Sequence, residues 1–162
     1  MALTKVQGEG INGVSISANN EITMSSQPAF LVGKSGTQAN IAVDAATTVT
    51  FDTEVFDQNS DFASHTFTAP VTGKYQLNGH FYFLDMDTGA TFYEVNILTS
   101  NRNYSFDLDP NFSADVSYYG FTVSALADMD ASDTAYMRVY QSGGTQQTDL
   151  SSITKFSGYL VC

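Results

Sequence analysis

Positive charge is scarce in this 162-residue chain: six Lys and Arg stand against 17 Asp and Glu, for a formal net charge of −11. Nucleic-acid binding depends on neutralising phosphates with basic groups, so that class of partner is ruled out. The same shortage disfavours an anionic membrane surface. No apolar stretch approaches the length of a membrane span, so insertion is not expected. Cysteine is nearly missing too. Cys162 is the only one, which excludes an internal disulfide and lacks the partner signature of a catalytic thiol. The opening Met1–Lys5 has no basic segment leading into an apolar run, so no signal peptide is expected and synthesis in a reducing cytoplasm follows. Trp is absent, and no window holds a helical period for more than a couple of turns.

What remains is rich in Phe, Tyr and β-branched residues, the composition of an all-β domain. The clearest pattern runs from Phe67 to Phe83. A short strand carrying Phe67 stops at Pro70, which cannot donate to a sheet ladder, and a turn closes at Gly73. Beyond it Tyr75, Leu77, Gly79, Phe81 and Phe83 alternate with Lys74, Gln76, Asn78, His80 and Tyr82, the period of a strand with one buried face.

Around that strand the chain reads as a series of short strands and turns, which means a sandwich or barrel. Residues 1–26 are small, polar and Gly-rich, with a hairpin expected from Val14–Ile16 and Ile22–Met24 about Asn19–Asn20. A compact domain is expected over 27–162. Strands are predicted at 28–32, at 49–55 with Val49, Phe51 and Val55 on one buried face, at 91–99, from Tyr119 to Ala125, at 134–141 and at 153–161. Residues 100–115 read as a long loop with a short strand near Tyr104.

Several strands carry large rings on both sides. A sandwich sheet needs only one apolar face, so Tyr82, Tyr136, Tyr140 and Tyr159 are predicted to pack against other subunits.

The stretch Val49–Phe51, then Phe67-Thr-Ala-Pro70 through Gly73, Tyr75 and Phe81, resembles the signature of the C1q-like domain of the C1q and tumour-necrosis-factor superfamily. Pro28–Phe30, Val95–Asn101 and Phe156–Leu160 match in order and spacing, so the resemblance covers Gln27 to the C-terminus. One departure is Ser132-Asp133 where the family usually has Gly-Asp. The resemblance implies a ten-stranded jelly roll assembled as a homotrimer. Residues 1–26 with Gln27–Phe30 are similar to leader segments of structural proteins from tailed phages of aquatic bacteria, including cyanobacteria. That implies a virion protein made in the host cytoplasm, attached to capsid or tail proteins through an arm over 1–26. A surface knob or capsid-decorating (cement) protein is the first expectation. A tip module of a head or tail fibre that binds a host glycan or surface protein is the second.

No catalytic constellation emerges, and an enzyme is not expected. Gly33-Lys34-Ser35 ends like a phosphate-binding loop, but Pro28 stands where the leading Gly belongs. His65 and His80 lack a paired Ser or Cys in a triad arrangement. The acid pairs Asp85/Asp87, Asp107/Asp109 and Asp128/Asp130 fall in turns with no apolar surroundings to raise one pKa. Asp107–Asn111 begins like a calcium loop and then fails, with Phe112 for the turn Gly and Tyr118 for the bidentate Glu. The resemblance implies acids from a loop in this region, so Asp107, Asp109 and Asp115 are the candidate calcium ligands; no other cofactor is expected. Tyr104, Phe106 and Phe112 are the candidate stacking platforms of a recognition loop.

Overall fold

The structure is a computed structural model that describes residues 13–162. It begins with a hairpin of β1 (Val14–Ile16) and β2 (Ile22–Met24), with Val14 opposite Met24 and Ile16 opposite Ile22. Asn20 in its turn has a φ of 65°, a left-handed conformation that Asn tolerates better than most side chains. The hairpin is the one expected from Asn19–Asn20. The first twelve residues of the expected arm lie outside the described residues.

Two six-stranded antiparallel sheets follow and form a jelly-roll sandwich. One has the order β10 (Asn103–Leu108), β9 (Phe92–Thr99), β12 (Thr134–Ser142), β7 (Thr66–Thr68) and β6 (Phe62–Ala63), with β4 (Ala46–Thr48) also on β12. The other has the order β11 (Val116–Met129), β8 (Gly73–Met86), β14 (Lys155–Leu160), β3 (Ala29–Gly33) and β5 (Thr53–Asp57), with β13 (Asp149–Leu150) on β8. The all-β jelly roll is as expected, with the two-residue pairings β6 and β13 beyond the ten strands. Among the described residues there is no helix.

The inward residues of β8 are the alternating set from the sequence: Tyr75, Leu77, Phe81 and Phe83 are each 0% exposed. They meet Tyr93, Val95 and Ile97 of β9 and Met137 and Val139 of β12 across the sandwich. Phe30 stacks on Phe67 at 4.7 Å and meets Phe156 edge-on at 5.0 Å. Each such ring, fully buried, stabilises by about 1.5–3 kcal/mol.

Two expectations need correction. Val49, Phe51 and Val55 do not share one strand face: Val49 and Phe51 are buried, whereas Val55 is 59% exposed. β4 pairs with β12 in one sheet and β5 with β3 in the other, so the chain changes sheets between Thr48 and Thr53. Val49 and Phe51 fill the core during that crossing. Residues 100–115 are also less of a loop than expected, because β10 pairs along its whole length with β9, Asn103 to Leu98 through Leu108 to Tyr93. It is the edge strand of its sheet, and Tyr104 and Leu108 lean on the core. Ser105 and Asp107 stay exposed, which made the segment read as polar.

The departure at Ser132 has a structural counterpart. Ser132 has a φ of 78°, the left-handed conformation for which Gly is the usual choice. Its N–H donates to the Ala69 carbonyl at 2.7 Å, and the Asp133 carboxylate accepts the Asp130 N–H at 2.8 Å. Another closure lies at the same end: the Leu160 N–H donates to the Pro28 carbonyl at 3.0 Å, and the Gln27 side chain to the Leu160 carbonyl at 2.6 Å. The start of β3 and the end of β14 are thereby tied together.

Candidate functional site

The outward face of the β11–β8–β14–β3–β5 sheet carries several large exposed side chains. Because side chains alternate along a strand, the buried set on β8 forces Gln76, Asn78, His80 and Tyr82 onto this face. The ladder with β11 sets Leu126, Ser124, Thr122 and Gly120 directly opposite them, and Tyr118 opposite Leu84. The β14 ladder adds Tyr159 opposite Gln76, Ser157 opposite Asn78 and Lys155 opposite His80.

Its middle is a polar network and its margins are apolar. Gln76 donates to Ser124 Oγ at 2.7 Å, Ser124 donates to Asn78 Oδ1 at 2.9 Å, and His80 Nδ1 lies 3.3 Å from Thr122 Oγ1. Around it, Tyr118 is 69%, Leu126 59% and Tyr159 49% exposed, and the rings of Tyr82 and Tyr118 lie 6.4 Å apart. At one end Lys74 pairs with Asp128, which holds the Lys74 ammonium above its usual range and the Asp128 carboxyl below its own. Apolar groups gathered this way mark a surface suited to contact with another protein. Tyr118 and Leu126 fall just outside the strand expected from Tyr119 to Ala125, one at each end of it. Carrying the alternation of Thr122 and Ser124 outward in both directions would have found them.

The four candidate interface tyrosines are not brought together. Tyr82 and Tyr159 belong to this face. Tyr136 and Tyr140 point outward from β12, on the opposite sheet, where Ala135, Met137 and Val139 take the inward positions. Period two shows that a strand has two faces but not which sheet it joins.

The candidate stacking rings pack on their own domain. Tyr104 and Phe106 stand on β10 rather than in a loop. Phe106 lies 5.5 Å from Phe121, Phe112 lies 5.6 Å from Tyr119, and Tyr119 lies 6.0 Å from Phe121. The result is an aromatic seam along the β10–β11 margin, with Phe106 48% and Phe112 38% exposed.

Asp107, Asp109 and Asp115 do not converge either. Among the described residues no three His, Cys, Asp or Glu side chains group as metal ligands. Asp107 lies opposite Glu94 in the β9–β10 ladder. Asp115 Oδ1 accepts the Thr88 N–H and O–H, both at 2.9 Å, and Oδ2 accepts Gln147 Nε2 at 2.8 Å. Those hydrogen bonds, the Thr88 N–H foremost, hold its carboxyl below the usual range. The acid closes a junction between β8, β11 and the loop before β13.

Lys34, the end of the discarded phosphate-loop motif, has a structural task. It is 7% exposed, and its ammonium donates to the Thr50 carbonyl at 2.7 Å, Thr50 Oγ1 at 2.9 Å and Gln38 Oε1 at 3.1 Å. Burial pulls its pKa below the ordinary lysine value, with Asp52 opposing. These bonds pin the sheet-crossing segment to the end of β3. His65 is similarly occupied, its Nδ1 accepting the Phe51 N–H at 3.0 Å.

The family model described as "C1q domain" matches residues 29–161. Among solved structures, the globular domain of zebrafish complement 1qA protein is 18% identical with a TM-score of 0.59, covering 85% of this chain and 98% of its own. Murine APRIL is 13% identical with a TM-score of 0.57, covering 84% of this chain and 100% of its own. At these identities the likeness is one of fold. No curated protein matches the chain.

Proposed function

The chain belongs to the C1q domain family, and on that premise we propose that it is a non-enzymatic, homotrimeric structural protein of a tailed-phage particle, attached through residues 1–26. The observation that carries the assembly is the outward face of the β8 sheet. Tyr82, Tyr118, Leu126 and Tyr159 leave on one side of a folded subunit the apolar area that a partner would cover. Domains of this family are typically trimeric. A threefold ring is closed by unlike surfaces, each subunit giving one and receiving another. The seam Phe106–Phe121–Tyr119–Phe112 at the β10–β11 margin supplies a second surface.

The phage context is supported by the resemblance of residues 1–26 to phage leader segments. A net charge of −11 agrees with a role facing solvent on a particle rather than nucleic acid within it. Light scattering on the purified chain tests the assembly: the mass of three chains is expected, and the mass of one overturns it. Removing residues 1–26 is expected to keep the assembly of three chains while abolishing incorporation into particles. A truncated chain that still enters particles, as seen by electron microscopy, overturns the attachment.

A further inference from the structure

On the sheet opposite the trimer face, β12 and β4 enclose a cleft of about 340 Å³ lined by Asp44, Ala45, Ala46, Glu94, Arg138 and Tyr140. Its size falls within the roughly 300–1,000 Å³ range of small-ligand pockets. The register explains its shape. Tyr140 stands between Glu94 on β9 and Ala46 on β4, so a large ring borders a position with almost no side chain. Phe92 stacks on the Tyr140 ring at 5.9 Å and 30°, bracing it from the β9 side.

The polar groups are held in place as firmly as the ring. Arg138 Nε and Nη2 donate to Asn96 Oδ1 at 3.0 and 2.6 Å, and Asn96 donates to Glu94 Oε1 at 2.7 Å. Arg138 Nη2 also reaches Glu94 Oε1 at 3.3 Å. Asp44 Oδ1 accepts the Gly143 N–H at 2.9 Å. These bonds use one oxygen of each carboxylate and leave Glu94 Oε2, Asp44 Oδ2 and Arg138 Nη1 unpartnered among the described residues. A braced aromatic ring beside two acceptors and a planar donor is the complement of a pyranose. The C–H face of such a sugar stacks on the ring while neighbouring hydroxyls donate to carboxylate and accept from guanidinium.

We propose that this cleft is a binding site for a neutral pyranose sugar. Two carboxylates against one guanidinium disfavour an anionic sugar, as does the charge of the whole chain. The inference deepens the idea of host-glycan recognition, and it moves the site from the loops to an outer sheet face that the trimer contact leaves uncovered.

Saturation-transfer NMR on the full chain tests it, using the methyl pyranosides of glucose, galactose, mannose and N-acetylglucosamine, with N-acetylneuraminic acid as the anionic comparison. At least one neutral glycoside is expected to bind. Tyr140→Ala, and Ala46→Gln which fills the floor, are expected to weaken it by about tenfold or more, while Tyr140→Phe keeps it. Comparing that glycoside with a polysaccharide containing it separates a free-sugar site from a surface-glycan site. Absence of binding by every neutral pyranoside at millimolar concentration overturns the proposal. So does tighter binding of N-acetylneuraminic acid, or wild-type affinity in Ala46→Gln. Light scattering on the same samples reports assembly separately, so sugar binding by a single-chain species would support the cleft and overturn only the trimer.

Discussion

Gly120 lies directly opposite Tyr82 in the β8–β11 ladder, and the Tyr82 ring fills the space that a side chain at Gly120 would need. A Cβ at Gly120 would stand 2.9 Å from Tyr82 Cδ2. The glycine is there for room, since its φ is not among the positive ones. It lets the ring lie flat across β11 towards Tyr118.

Tyr82→Ala is therefore expected to leave the subunit folded and weaken the proposed trimer. Losing an interface ring worth about 1.5–3 kcal/mol per subunit would shift dissociation by tenfold or more. Gly120→Ala, which keeps the ring but lifts it, is expected to act in the same direction and more weakly. Sedimentation across a dilution series measures both. An unchanged trimer in Tyr82→Ala would show that this side of β8 faces solvent.

Phe81, one residue away, is expected to behave oppositely. It is 0% exposed and stacks on Phe121 at 5.7 Å. Phe81→Ala should cost about 3–5 kcal/mol of subunit stability. Urea unfolding should show this as a lower midpoint at unchanged slope. A loss well under 1 kcal/mol would contradict its place in the core.

At Ser132 the turn holds a non-glycine residue at a φ of 78°. Left-handed backbone costs L-residues roughly 1–2 kcal/mol, and part of the relief is returned because Gly loosens the unfolded chain. Ser132→Gly is thus expected to raise stability by up to about 1 kcal/mol, read as a higher thermal midpoint. A lower midpoint would mean that the Ser132 side chain contributes a contact of its own.

Acid should act through Asp115. Its folded-state pKa is depressed by the donors from Thr88 and Gln147, so its stabilisation is complete above the unfolded value of about 3.9. That contribution fades as pH falls through the lower folded value. Asp115→Asn is expected to make the fall of the melting midpoint on the acid side shallower and to leave its pH dependence near neutrality as before. With both oxygens already accepting hydrogen bonds, a chelator should leave the wild-type midpoint unchanged. A midpoint that rises with added calcium would return Asp107, Asp109 and Asp115 to the role of ligands.

The core was legible wherever alternation and one partner sheet coincide. Tyr75 through Phe83 could be assigned to one face because both neighbours of β8 lie in the same sheet. Val49, Phe51 and Val55 could not, because the chain leaves one sheet and joins the other between them, and periodicity carries no sign of such a change. β10 was hidden for a related reason: an edge strand can leave Ser105 and Asp107 to solvent and still pair fully. The cleft at Tyr140 depends on Ala46, 94 residues earlier in the chain, a pairing that only the ladder reveals.

The junction of Pro28 with Leu160 governs how the fold answers to mechanical load. β3 and β14 are antiparallel neighbours, and the bond from the Leu160 N–H to the Pro28 carbonyl lies beyond the last rung of their ladder. Pulling the two ends apart would meet that bond first, then the Tyr159–Ala29 rung, opening the ladder one rung at a time. Resistance along that axis is that of a zipper rather than of a sheared sheet. A pull through residues 1–26 alone, with the outward face of the β8 sheet held by its neighbours, would instead load β3 along its length across several rungs at once.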